Sequence, residues 1–191
     1  MAVNLVSLIG RALLPRRGRA FLRDQQGATA VEVGLLALPF FAIIGAILET
    51  SVMFLSGQVL DSAVHDVGRL IRTGQNQAAG ASLSAFRNQV CDRLYGLFSD
   101  CDSKLYVEVQ VLDSFNATSI TPPVDWTCET EECEWTREQA YAPGQGSSIV
   151  LVQAYYQWPI ILNFGGLSLA NLPGGKRLLG AATVFRNEPF S

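Results

Sequence analysis

From residue 27 onward the apolar positions form one long block and then several shorter periodic ones. Residues 27–55 read GATAVEVGLLALPFFAIIGAILETSVMFL; the sixteen positions 33–48 carry no charge, and 52–55 extend the run past Glu49. About twenty apolar residues at about 1.5 Å each carry a helix across a hydrocarbon core, so this block predicts a membrane span. The pattern then narrows to one face. In SGQVLDSAVHDVGRLIRTGQ (56–75), Val59, Leu60, Ala63, Val67, Leu70 and Ile71 recur at three- and four-residue steps, with Asp61, His65, Asp66, Arg69 and Arg72 between them. That is helical spacing, and Gly74 is a natural stop for it. An unbroken helix over 28–73 is about 70 Å long, of which only the first part fits in lipid. Pro39 is of a kind that membrane helices tolerate. Gly34, Gly45, Gly57 and Gly68 recur near every third turn and form a candidate small-residue packing stripe.

Beyond a linker at 75–82, residues 83–98 predict an amphipathic helix with Leu83, Phe86, Val90, Leu94, Leu97 and Phe98 on one side. YVEVQVLD (106–113) alternates as a half-buried strand does. IVLVQAYYQW (149–158) is a second strand closed by Pro159, and LLGAATVFR (178–186) a third, with Gly180 a candidate bulge. ILNFGGLSLANLPGGK between them is a Gly/Pro loop. A helix followed by strands, without strand–helix alternation, predicts an α+β fold: a long N-terminal transmembrane helix, then a domain with an amphipathic helix and an antiparallel sheet.

Charge changes the picture by its distribution. Residues 1–27 hold five arginines (Arg11, Arg16, Arg17, Arg19, Arg23) against Asp24, leaving nine basic and sixteen acidic residues in 28–191. An arginine cluster directly before a span predicts a cytoplasmic N-terminus and an exported C-terminal part. A domain that acidic is not a nucleic-acid binder, because phosphate neutralisation needs clustered cations. An ordinary secretory signal peptide fits poorly: the basic region is long, Glu32 interrupts the start of the apolar run, and Ile47-Leu48-Glu49-Thr50 has no small-x-small cleavage site. The expected organisation is a basic leader over 1–27, a transmembrane helix continuing as an exported helix over 28–74, and an exported α+β domain over 75–191.

All four cysteines follow the span, which suits two disulfides in an oxidising compartment. Around two of them the sequence WTCETEECEW (126–135) is nearly palindromic. An antiparallel hairpin placing Cys128 opposite Cys133 also places Trp126 opposite Trp135, at the kind of ladder position where side chains approach most closely. This predicts Cys128–Cys133 and, by default, Cys91–Cys101, although four cysteines allow three connectivities.

Nothing in the chain points to catalysis. His65 is the only histidine, and GxSxG, HExxH, P-loop and GxGxxG patterns are absent from the sequence. Zinc is disfavoured because the only histidine, His65, belongs to another element than Cys128 and Cys133. The acids Asp125, Glu129, Glu131, Glu132, Glu134 and Glu138 read as a solvated turn, with no calcium-loop pattern. No cofactor or metal is expected.

A carboxylate near the end of a membrane run is costly, on the order of 2.5–3.5 kcal/mol at the centre of a span, and asks for a function. At Gly27-Ala28-Thr29-Ala30-Val31-Glu32-Val33 the chain resembles a type IV prepilin processing site, which has Gly, then the cut, then Glu at the fifth mature position. More specifically, QQGATAVEVGLLALPFF (25–41), SAVHDVGRLIRTGQ (62–75) and ATVFRNEPF (182–190) resemble the TadE-like family, minor pseudopilins of the tight-adherence (Tad, Flp) pilus and secretion system. The resemblance implies cleavage between Gly27 and Ala28 by a Tad prepilin peptidase, and pairing of Glu32 with the amino terminus of a neighbouring subunit. It implies a bacterial inner-membrane protein whose partners are the lipid bilayer, that peptidase, other Tad pilins or pseudopilins and inner-membrane assembly proteins. Val33 departs from the pattern, since Tad pilins often have an aromatic residue there.

Overall fold

A computed structural model describes residues 27–129, 133–162 and 168–190. The basic leader up to residue 26, the turn acids Glu131 and Glu132, and 163–167 of the Gly/Pro loop lie outside the described residues. The chain divides into two compact units, Met1–Gly45 and Ala46–Ser191. The elements in chain order are α1 (Ala28–Arg72), α2 (Gln75–Ala78), α3 (Leu83–Asp92), α4 (Cys101–Lys104), β1 (Tyr106–Leu112), a 3-10 turn (Phe115–Ala117), β2 (Ile149–Pro159) and β3 (Lys176–Arg186). This is the α+β architecture expected.

In the first unit, α1 continues through Pro39. Its large side chains, including Leu35, Leu36, Leu38, Phe40, Phe41 and Ile43, are all exposed, so the helix is long and apolar enough to cross a membrane and buries none of that apolar window.

The second unit has a three-stranded antiparallel sheet in the order β1-β2-β3. Leu60, Ala63, Val64, Val67 and Ile71 of α1 are buried together with Phe86 and Val90 of α3. They face Val107 and Val109 of β1, Val150, Val152, Ala154 and Tyr156 of β2, and Leu179 and Ala181 of β3. Sequence alternation dictates that set, since every second residue of a strand shares a face. The polar positions Asp61, His65, Asp66 and Arg69 stay outside the core, and His65 sits 3.9 Å from Asp61 one turn away.

Two segments that the sequence separates by more than a hundred residues close on each other at the end of α1. Gly68 packs under β3, where an added Cβ would lie 3.1 Å from the Phe185 ring and 3.3 Å from Thr183. Gly74 adopts a left-handed φ of 79°, and a Cβ there would meet the Phe190 ring at 2.7 Å. The Glu188 amide donates to the Arg72 carbonyl (2.8 Å), one of the acceptors that a helix terminus leaves open. Asn187 Nδ2 donates to the carbonyls of Pro143 and Gln145, both at 3.0 Å. Gly34 and Gly57 face open space, and Gly68 serves sheet packing.

Five expectations are corrected. The helix over 83–98 ends at Asp92, because Tyr95 (φ 52°) and Gly96 (φ 72°) turn the chain out of helical geometry. Phe98 still reaches the core through that turn, 4.8 Å from the Tyr156 ring, whereas Leu97 is exposed. Strand β1 is buried on both faces at 106–109, not half-buried, because the connection carrying Trp135 and Arg137 covers its outer face, while the chain at 140–142 bonds along its free edge: the Val109 amide donates to the Ala140 carbonyl (2.8 Å) and Ala142 to Val109 (2.9 Å). Gly180 is no bulge. It stays in register opposite Tyr155, and a Cβ there would lie 2.8 Å from that ring, so the glycine makes room for the tyrosine. Finally, the cysteine segment forms no ladder among its described residues: Trp135 turns onto Tyr106 (ring centroids 5.1 Å apart) and Trp126 is exposed. The residues 75–82, read as a linker, include the short helix α2.

Gly74→Ala is expected to lower stability by about 1–3 kcal/mol, through left-handed strain and the clash with Phe190. Gly80→Ala, also left-handed (φ 60°) but with nothing within 4 Å, loses only the conformational part, about 1–2 kcal/mol. Thermal unfolding of the detergent-solubilised protein compares the two; equal losses would remove the tail contact from the account.

Candidate functional site

Three places are candidates for function, and the sequence singled out only the first. The first is the start of α1. Gly27 precedes the helix and is exposed, with nothing within 4 Å of where a Cβ would stand. Ala28 is the first helical residue, and Glu32 lies four positions further on, exposed. Residues four apart on a helix sit one above the other on the same face. Ala28 and Glu32 therefore fall on one side of the helix.

The second place is the end of the uncharged run, which sequence reading passed over. The Glu49 carboxylate accepts the backbone amides of Ile161 and Leu162, the latter at 3.1 Å from each oxygen. Thr50 Oγ1 donates back to the Ala46 carbonyl and Ser51 Oγ to Ile47, both at 2.7 Å. Three consecutive polar side chains are thus all bonded within the protein. No local pattern announces the Glu49 contact, because its partners lie 112 and 113 residues away.

The third place is a buried polar cluster on the sheet face opposite the helices. Glu108, 3% exposed, receives Arg137 Nη2 at 2.7 Å, the Tyr106 hydroxyl at 3.2 Å and the Gln110 side-chain amide. Arg137 also donates to the Thr121 carbonyl (3.1 Å), and Tyr155 donates to Gln153 Oε1 (2.8 Å). Burial pushes the Tyr106 hydroxyl above its ordinary pKa, with the Glu108 charge acting the same way, and burial raises Tyr155 as well. The hydrogen bond to Glu108 raises Arg137 further. Alternation had put Glu108 on a polar strand face; the loop carrying Arg137 covers that face and turns the carboxylate into a buried ion pair. Apart from Arg137 Nε, which is buried without a hydrogen-bond partner among the described residues, the donors named here point at acceptors of the same chain, so the cluster ties the long 113–148 connection to the sheet.

Both disulfides link neighbours in sequence. Cys91 bonds Cys101 with Cα atoms 5.8 Å apart, and Cys128 bonds Cys133 at 6.1 Å. By loop-closure entropy the first is worth about 3 kcal/mol and the second about 2 kcal/mol. The first ties the last turn of α3 to α4. Asp125 caps the turn before Cys128, accepting the Thr127 hydroxyl (2.7 Å) and amide (2.8 Å), which hold its carboxyl below the usual range.

A long N-terminal helix, apolar enough to cross a membrane and burying none of its apolar window, is followed by a small disulfide-bonded α+β domain. Residues 27–69 match the family model described as TadE-like protein, which supports the resemblance read from the sequence. The matched stretch begins at Gly27 and ends within the part of α1 that packs on the sheet. No curated protein and no solved structure matches the chain.

Arg137→Ala leaves Glu108 buried with one donor fewer. Because Arg137 itself is more than a third exposed, the expected loss is about 2–3 kcal/mol, below that of a fully buried pair. The double variant with Glu108→Ala should lose less than the sum of the singles. A loss under about 0.5 kcal/mol for Arg137→Ala would mean an ordinary surface pair.

Proposed function

We propose that this chain is a pseudopilin-like component of Tad pilus assembly, inserted in the bacterial inner membrane by α1 and processed after Gly27. The observation that carries the reading is the coincidence of the family match with the start of the helix: Gly27 precedes the first helical residue, and Glu32 stands exposed on its second turn. The leader 1–27 with its five arginines faces the cytoplasm, residues 28–74 span the bilayer and continue beyond it, and 75–191 form the periplasmic domain. The role is structural, not enzymatic.

The mechanism follows from charge. Cutting the Gly27–Ala28 bond removes the arginine-rich leader and frees an amino group on Ala28 that is cationic at neutral pH. Gly27 suits a narrow peptidase cleft because it brings no side chain. Glu32 near the boundary of the hydrocarbon is costly alone, and an ammonium from a neighbouring processed subunit offsets much of that cost. Processing therefore creates the charge that Glu32 needs, and an uncut chain lacks it. The partners on this reading are the Tad prepilin peptidase, other pilins or pseudopilins and the inner-membrane assembly proteins.

Amino-terminal sequencing of the membrane-extracted protein from cells with the peptidase is expected to begin at Ala28. Gly27→Leu should block cleavage and piliation, while Glu32→Ala should be cut normally and impair assembly. An intact Met1 would instead indicate an unprocessed single-pass scaffold that holds a periplasmic domain. Normal pili from Glu32→Ala would reject the pairing.

A further inference from the structure

Within the unit Ala46–Ser191, one apolar surface has no partner in the fold. Ile161 is 87% exposed, and Ile47, Leu48, Val52, Phe54 and Leu55 of α1 are between 47% and 63% exposed. Glu49, which receives the Ile161 and Leu162 amides, holds the 160–162 segment against this part of the helix. The Ile160 amide is bonded as well, to the Gly175 carbonyl at 2.8 Å.

We propose that the 160–162 segment seats in the interfacial layer of the bilayer beside the emerging helix, giving the domain a second contact with lipid. This rests on the reading of α1 as a membrane span. Two independent features favour lipid as the occupant. First, the surface is continuous with the apolar run of α1 and lies at its end, at Glu49. Second, the amide and hydroxyl donors within it are already bonded to the protein: Thr50 and Ser51 to helix carbonyls, and the amides of Ile160, Ile161 and Leu162 to Gly175 and Glu49. Water makes such bonding of donors dispensable, whereas the edge of the hydrocarbon favours it. Glu49 itself is compensated by charge-assisted bonds from two amides. At the strand end next to the segment, Lys176 pairs with Pro159 across the β2–β3 ladder, and its cation suits anionic headgroups.

The test uses the full chain reconstituted in phosphatidylethanolamine–phosphatidylglycerol vesicles, with an environment-sensitive fluorophore on Phe41→Cys, Ile161→Cys or Ile120→Cys. Phe41 reports the span, and Ile120, an exposed apolar residue in the β1–β2 connection, reports the bulk domain surface. The Phe41 probe is expected to be quenched by mid-chain nitroxide lipids. The Ile161 probe should be blue-shifted and quenched by nitroxides near the headgroup, while the Ile120 probe stays open to aqueous iodide. An Ile161 probe as iodide-accessible as that at 120, with the Phe41 probe lipid-quenched, overturns the proposal and leaves the span intact. An unquenched Phe41 probe overturns the span and the proposal together. Shielding at 161 that vanishes in nanodiscs holding one chain each assigns the surface to a second copy and likewise overturns the proposal.

Discussion

One continuous helix has to satisfy two solvents, and the remainder of the chain is arranged around that change. Over 33–48 the helix is apolar on every side, which is stable only where its surroundings are apolar on every side. From Leu60 to Ile71 its apolar residues narrow to one stripe, and that stripe is the floor on which the sheet lies. Between the two regimes the polar residues Glu49, Thr50 and Ser51 are bonded within the protein. The change of environment is written into the helix before any other element contributes.

The domain is then secured to the second half of the helix from several directions. Helix α3 and the sheet share its apolar stripe, and the C-terminal tail closes on its last turn through Glu188, Asn187 and Phe190. A three-stranded sheet has a second face to cover, and a small domain has few residues to cover it with. Here the long connection after β1 does so, held by the Glu108–Arg137 pair and by backbone bonds along the β1 edge. That edge would otherwise present unpaired donors and acceptors to other chains. The family match ends at residue 69, so the connection and the polar cluster under it belong to the part of the chain where the resemblance gives no guidance.

What the sequence made legible was governed by local periodicity. The amphipathic part of α1 could be read because burial imposes a spacing of three to four on neighbouring residues, and β2 because its apolar run is closed by Pro159. Helix α3 was read too long: Leu94 and Phe98 keep helical spacing, yet they reach the core from a turn that Tyr95 and Gly96 impose. The hairpin symmetry around Cys128 and Cys133 was a real arithmetical property of the sequence, but Trp135 had a better partner in Tyr106, 29 residues away in the chain. Gly180 was legible as special and not as to why, since the ring it accommodates belongs to the neighbouring strand. Glu49 with Ile161 and Glu108 with Arg137 had no local signature at all, because each joins a strand or helix to a distant loop. The start of α1 was the reverse case. Gly27, Ala28 and Glu32 were visible as a motif in sequence, and the structure contributes their placement at the beginning of an exposed helix.

The central claim is that α1 passes from lipid to protein core along its length, and a nitroxide scan from residue 33 to 71 in the reconstituted protein tests it most directly. Oxygen accessibility should be high at every position over 33–48. It should then fall into a helical rhythm with minima at Leu60, Val64, Val67 and Ile71. A scan in which 33–48 already shows that rhythm, or in which those positions are reached by water-soluble relaxants instead of oxygen, would contradict the account.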